Sequence, residues 1–388
     1  MLEEVAKAGP TADLSVYALT IHADYRCHQS GVCCTSDWDV PVELPLYGSL
    51  RKAMEAGRVA PAARPHRDEA VFQTGADMPE GAAAMVARTT AGDCVFYHRG
   101  SGLCVIHRDV GEHHLPLTCR YFPRLAVRDA RGTFITLTHY CPTAAALLFR
   151  DDCAIAIVKG PPAFPPAEYE GLIVRPDDWP PLLHPRMLMD HEGYSAWERH
   201  MVARCAAPGV APETVLATLA RDARVLRRHR AADGPIAEAV ARLPGDMVEA
   251  EAPRDLSESL LRFSEAIGAV PDDMKPPPDE HQLHEAYATL VRPEWLRWRD
   301  PLNRYLAAKA FASWTAYQGR GVLTIVRGLD AALALVRVEA ARVCRNAAET
   351  MNGHLLLEAF RSADFLLNHL AAGDELADAW CRVETEPG

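Results

Sequence analysis

The chain is poor in lysine and has no long uninterrupted apolar run and no recognisable nucleotide-binding glycine motif. Lysine occurs only at Lys7, Lys52, Lys159, Lys275 and Lys309, so the positive charge is almost all arginine. That reads first as compositional bias and second as a hint of anion recognition. The most apolar long stretch, 322–338, is interrupted by Arg327, Asp330 and Arg337. It suits a buried helix better than a membrane span, so no membrane insertion is expected. The opening MLEEVAKAGPTADLS has neither a basic n-region nor an apolar h-region, so no secretion signal is read there and a cytoplasmic location is expected. Gly100-Ser101-Gly102 is too short for a dinucleotide fingerprint. Gly319-Arg320-Gly321 lacks a preceding strand and a third glycine, and there is no Walker-type loop. The Cys-x3-Cys-x2-Cys spacing of radical enzymes is absent too. His281 and His284, one predicted helical turn apart beside Glu285, read as a solvated polar face before they read as metal ligands.

A net charge of −11 argues against binding a phosphate backbone, so no nucleic-acid partner is expected. With 388 residues, 49% of them hydrophobic, the chain can bury a sizeable core and divide into two units.

Cysteine is unevenly spread. Of 11 in the chain, Cys27, Cys33, Cys34, Cys94, Cys104, Cys119 and Cys141 all precede residue 142. In a reducing compartment, thiols in such a cluster point to metal binding or redox chemistry rather than to a disulfide framework. Four thiolates can hold either a closed structural zinc or a [4Fe–4S] cluster. His28, His98, His107, His113, His114 and His139 would allow mixed ligation, although each alone reads more readily as a surface or hydrogen-bonding histidine. If Cys33-Cys34 is extended, the two side chains point to opposite faces and do not share one ion.

The expected class is α+β: a cysteine-rich metal-binding domain with short strands over residues 1–158, a proline-rich connector over 159–186, and a mainly helical domain over 187–388. Leu125–Arg128 and Thr133–His139 read as a hairpin about Asp129-Ala130-Arg131-Gly132. Cys141-Pro142 opens a short helix to Phe149, and Ala154–Val158 reads as one more strand. Further on, helices are predicted from Asp255 to Gly268 and from Asp300-Pro301 through Tyr317. Two apolar stripes follow, Val322/Val326/Leu329/Leu333/Val336 and Leu356/Phe360/Ala363/Leu367/Leu370, the second with Gly373 as its stop.

The order Cys27-x5-Cys33-Cys34, Cys94, Cys104-Val-Ile-His107, Cys119-Arg120-Tyr-Phe122-Pro123-Arg124 and Cys141-Pro142 resembles the CxxCxxCC cysteine-cluster family of zinc- or iron-chelating proteins (the YkgJ type). Trp38, the Pro123-Arg124 pair and Cys-Pro followed by an alanine-rich helix make it most similar to the flagellin lysine-N-methylase (FliB-like) branch. The resemblance implies a metal centre held by the seven cysteines, with an iron–sulfur cluster favoured over zinc. It also implies a protein substrate or partner and S-adenosylmethionine-dependent lysine N-methylation. Arg120 and Arg124 could then meet an anion such as the donor's carboxylate, but they read more readily as offsetting thiolate charge or forming ordinary ion pairs. Ser30 stands where that pattern usually has a second cysteine, so the ligand set departs from it. The non-enzymatic alternative is a cluster-binding or redox-sensing module whose helical half docks a partner.

Overall fold

A computed structural model describes residues 15–381 apart from 37, 76–77, 166–172, 175–180, 272–279 and 319–320. Much of the predicted proline-rich connector lies outside the described residues. Strands fall in the first half and helices dominate the second, a mixed arrangement compatible with α+β. No helix among the described residues is long and apolar enough to cross a membrane.

The largest sheet has five strands in the order Ile173–Val174, Arg124–Asp129, Gly132–Leu137, Val16–Leu19, Ile157–Lys159. Its centre is the predicted hairpin. Asp129 pairs with Gly132, and Ala130-Arg131 makes the two-residue turn. Successive side chains go to opposite faces. Leu19 and Phe134 enter the large core beneath the helices, whereas Ala18 and Ile135 enter a smaller core with Cys141 and Phe164. The first face is fastened to the helical half through Phe134–Phe311 ring contact and a bond from Thr136 Oγ1 to the Ala308 carbonyl. The strand predicted at Ala154–Val158 sits slightly later, at Ile157–Lys159, on the sheet edge.

A second, smaller core belongs to residues 40–106. Here Pro41–Glu43, Ala82–Val86 and Phe72–Gln73 form a three-stranded sheet under the helix Leu44–Glu55. The interior of this lobe is Val42, Leu50, Phe72, Ala84 and Phe96, with Cys94 among them.

The helical half is built round Val322–Ala347, a 26-residue helix buried on nearly all sides. Even its polar residues Arg337 and Glu339 are buried, paired with Glu213 and Arg342, as befits an interior helix. Its neighbours include Pro212–Leu226, Ser257–Gly268, Arg299–Ala310 and Gly353–Phe365. Two predicted boundaries move. The helix expected to run through Tyr317 stops at Ala310, because Phe311 turns extended and Ala312 adopts φ 56°. The Ala312 N–H donates instead to Glu198 Oε1 at 3.1 Å, a buried tertiary partner. Gly373 is not a stop: the preceding helix ends through a π-turn at Leu366–Leu370, and Gly373 begins Gly373–Cys381.

Candidate metal centre

Six of the seven predicted cysteines line one cavity of about 500 Å³ in the strand-rich half: Cys27, Cys33, Cys34, Cys94, Cys104 and Cys119. Each arrives by a different local device. Gly31 holds φ 77° and starts the short 3₁₀ turn Val32–Cys34. Any Cβ at Gly31 would collide with the Tyr97 ring, so only glycine fits the turn. The turn also overturns the extended-chain expectation for the double cysteine. Cys33 Sγ and Cys34 Sγ lie 3.9 Å apart, on one side rather than on opposite faces. The Cys34 carbonyl accepts the Cys94 N–H at 2.7 Å, which pins the second region to the first. Cys104 pairs with Tyr97 in a two-stranded ribbon and precedes the helix Val105–Val110. Cys119 rides on Leu117–Tyr121, whose first N–H is capped by Glu43 Oε1 at 3.0 Å.

Cys141 stands at the end nearest Cys27. It precedes the predicted proline-led helix, observed as Pro142–Leu147, and its Sγ lies 3.7 Å from Tyr25 Oη. Of the six histidines considered, only His107 lines the cavity. His139 is turned away and fully buried against Asp364. Cys153 packs against the helical core, and Cys205 and Cys344 lie within it.

Electrostatics at the thiols are unusual. Burial pushes Cys94 up to about 11, and it also raises Cys104, Cys119 and Cys141. A hydrogen bond between the adjacent thiols lowers Cys33 and raises Cys34. Cys94, Cys104, Cys119 and Cys141 thus hold their protons more firmly than a free thiol, and a coordinated metal is the group that deprotonates such thiols outright. Positive charge is already at the wall. Arg120 lies over the Tyr121 ring at 4.9 Å, and its Nε is buried without a hydrogen-bond partner. Arg124 lies over Tyr25 and Phe164, and its Nη2 donates to the Ala163 carbonyl at 3.5 Å. Arg88 donates to the Cys34 carbonyl and keeps a buried Nη2 with no partner.

The donor set fits a thiophilic group in number and kind. Among the described residues, however, no three His, Cys, Asp or Glu side chains stand in an arrangement that would grip a single metal ion. The sulfurs surround a volume instead of closing on one point.

Behind this cavity lies a polar cluster that sequence reading missed. Asp364 is wholly buried and takes Lys309 Nζ at 2.5 Å, the Tyr305 hydroxyl at 2.7 Å and the His139 backbone N–H at 2.6 Å. The signal was legible in retrospect: Asp364 interrupts the Leu356–Leu370 stripe, and Lys309 is one of only five lysines. Next to it, Trp38 packs on Phe122, Tyr140 and His369, joining the cysteine lobe to the last helices.

No protein-family model matches the chain, and neither the curated proteins nor the solved structures contain a significant match to it.

Proposed function

We propose that this chain is a cysteine-cluster metalloprotein whose thiol-lined cavity holds a polynuclear iron–sulfur centre. The observation that carries the reading is the shared cavity: six cysteines drawn from four separated segments line about 500 Å³ in a lobe with only a small apolar core. A zinc ion held by four thiolates needs sulfur atoms about 2.3 Å from one point. Cys33 and Cys34 are 3.9 Å apart, close enough for that geometry, but no group of three such ligands is found among the described residues. Thiols spread round a volume suit a group several atoms wide, with the sulfurs drawing in as it binds. Arg88, Arg120 and Arg124 would offset the net negative charge of such a centre.

The test is an anaerobic visible spectrum of wild-type protein and of Cys→Ala variants at the seven positions. Sulfur-to-iron charge-transfer absorption is expected in the wild type. It should be lost when Cys94 or Cys119 is replaced and kept when Cys153 is replaced. A colourless protein carrying stoichiometric zinc would replace the cluster by a structural ion.

A second reading, methyl transfer from S-adenosylmethionine to a protein lysine, is favoured by one feature, the unpartnered buried Nε of Arg120 on the cavity wall. A donor carboxylate would satisfy it. The lysine nitrogen would bond to the methyl carbon as the S–CH₃ bond breaks onto sulfur, and the amine proton would leave to solvent. Methylation of a protein lysine by metal-loaded enzyme supports this reading. No transfer to flagellin or other lysine-rich substrates leaves the non-enzymatic, partner-docking module.

A further inference from the structure

Far from the thiols, the structure gathers a second chemistry-bearing set. The hairpin Leu182–His184/Met187–Leu188 meets the C-terminal end of the helix Pro212–Leu226. Between them is a cleft of about 580 Å³ lined by His184, Pro185, Arg186, Arg224, Arg227 and Arg228. No carboxylate lines it among the described residues. Arg186, Arg224 and Arg228 are exposed, and none makes a side-chain ion pair with a described residue.

One explanation needs no ligand: cations gather at helix C-termini because the carbonyl dipoles attract them. It accounts for Arg224, Arg227 and Arg228. It does not account for Arg186 and His184, which come from a different element and add positive charge to the same cleft. His184 Nδ1 accepts the Arg186 backbone N–H at 3.2 Å. In the neutral ring this puts the proton on Nε2, which becomes a further donor. Guanidinium forks match the oxygens of phosphate bidentately, and several converging on one cleft make a phosphate-type site.

We propose that this cleft binds a phosphate-type oxyanion, either free or as a phosphoryl group on a larger molecule. The inference is independent of the metal centre, whose cysteines lie elsewhere.

The test is calorimetric titration of the full chain at low ionic strength in a non-phosphate buffer. The probes are inorganic phosphate, pyrophosphate and a phosphoserine peptide. Saturable binding of at least one is expected. The double variant Arg186→Gln/Arg228→Gln should weaken it roughly tenfold or more, since charge-assisted bidentate bonds are the strong ones. Arg242→Gln, which removes an exposed Glu238 partner instead, should leave it unchanged. Because Arg186 and Arg228 are exposed, circular dichroism and melting should be unaltered in the double variant. Tighter binding of pyrophosphate assigns a free anion; tighter binding of the peptide assigns a phosphoryl group on a protein. Absence of saturable binding by all three probes, or equal affinity in wild type and double variant, overturns the proposal.

Discussion

The cysteine lobe and the helical half are held together by different physics. The helical half surrounds a 26-residue interior helix with large, fully buried side chains such as Trp197, Trp295, Tyr305 and Phe360. Burying each such ring is worth about 1.5–3 kcal/mol, so apolar burial is the main favourable contribution in this half. The lobe over residues 40–106 has strands of two to five residues and a modest core. Its interior also carries buried thiols, which pack as small hydrophobes and would serve as ligands if a metal is bound. The contrast teaches where a metal would matter: it would act as a staple in the lobe and be irrelevant to the helices.

The largest effect should follow from breaking the staple. Cys94→Ala/Cys119→Ala is expected to lose bound metal and to make residues 40–119 quickly cleavable by limited proteolysis, while Cys205→Ala keeps its metal. Equal metal loss in both would erase the distinction between the regions. Next comes the opposite perturbation. Phe360→Ala should cost about 3–5 kcal/mol in denaturant unfolding, yet metal per folded molecule should stay at the wild-type value. Gly31→Ala probes the joint between local geometry and ligation. Forcing a side chain to φ 77° against Tyr97 should cost about 1–3 kcal/mol locally and lower metal occupancy, with the melting of the helical half little changed.

The last effect is in pH. Burial lowers His369 to about 4, below its ordinary 6.5. The unfolded chain therefore binds this proton more tightly than the folded one. The associated stability is present above pH 6.5 and is lost as pH falls towards 4. His369→Phe, which keeps an aromatic ring beside Trp38, should flatten that part of the curve in thermal melts monitored by tryptophan fluorescence. An identical acid dependence in the variant would remove His369 from the account.

Local patterns made much of the fold legible. Asp129–Gly132 marked its hairpin as a turn-rich tetrapeptide between two strand-like runs; the ladder goes one pair further than that reading, to Asp129 and Gly132, and leaves a two-residue turn. Val322–Val338 marked a buried helix as the most apolar long stretch, although Arg327, Asp330 and Arg337 break it. What the sequence hid was tertiary: Glu198 capturing the Ala312 N–H ended a helix that local propensity would have continued. The cysteines were legible as a group because sulfur chemistry restricts what a thiol cluster does. Their partition was not. The closeness of Cys33 to Cys34 depends on a glycine-led 3₁₀ turn, and the separation of Cys141 from the others depends on sheet packing. The Lys309–Asp364–His139 cluster joins residues 225 positions apart, beyond the reach of any local pattern.

Iron, zinc and acid-labile sulfide measured on anaerobically purified, folded full-length chain test the central claim most directly. The account predicts iron and sulfide in equal amounts, about four of each per chain for a [4Fe–4S] centre. Folded protein with neither iron nor zinc would contradict it.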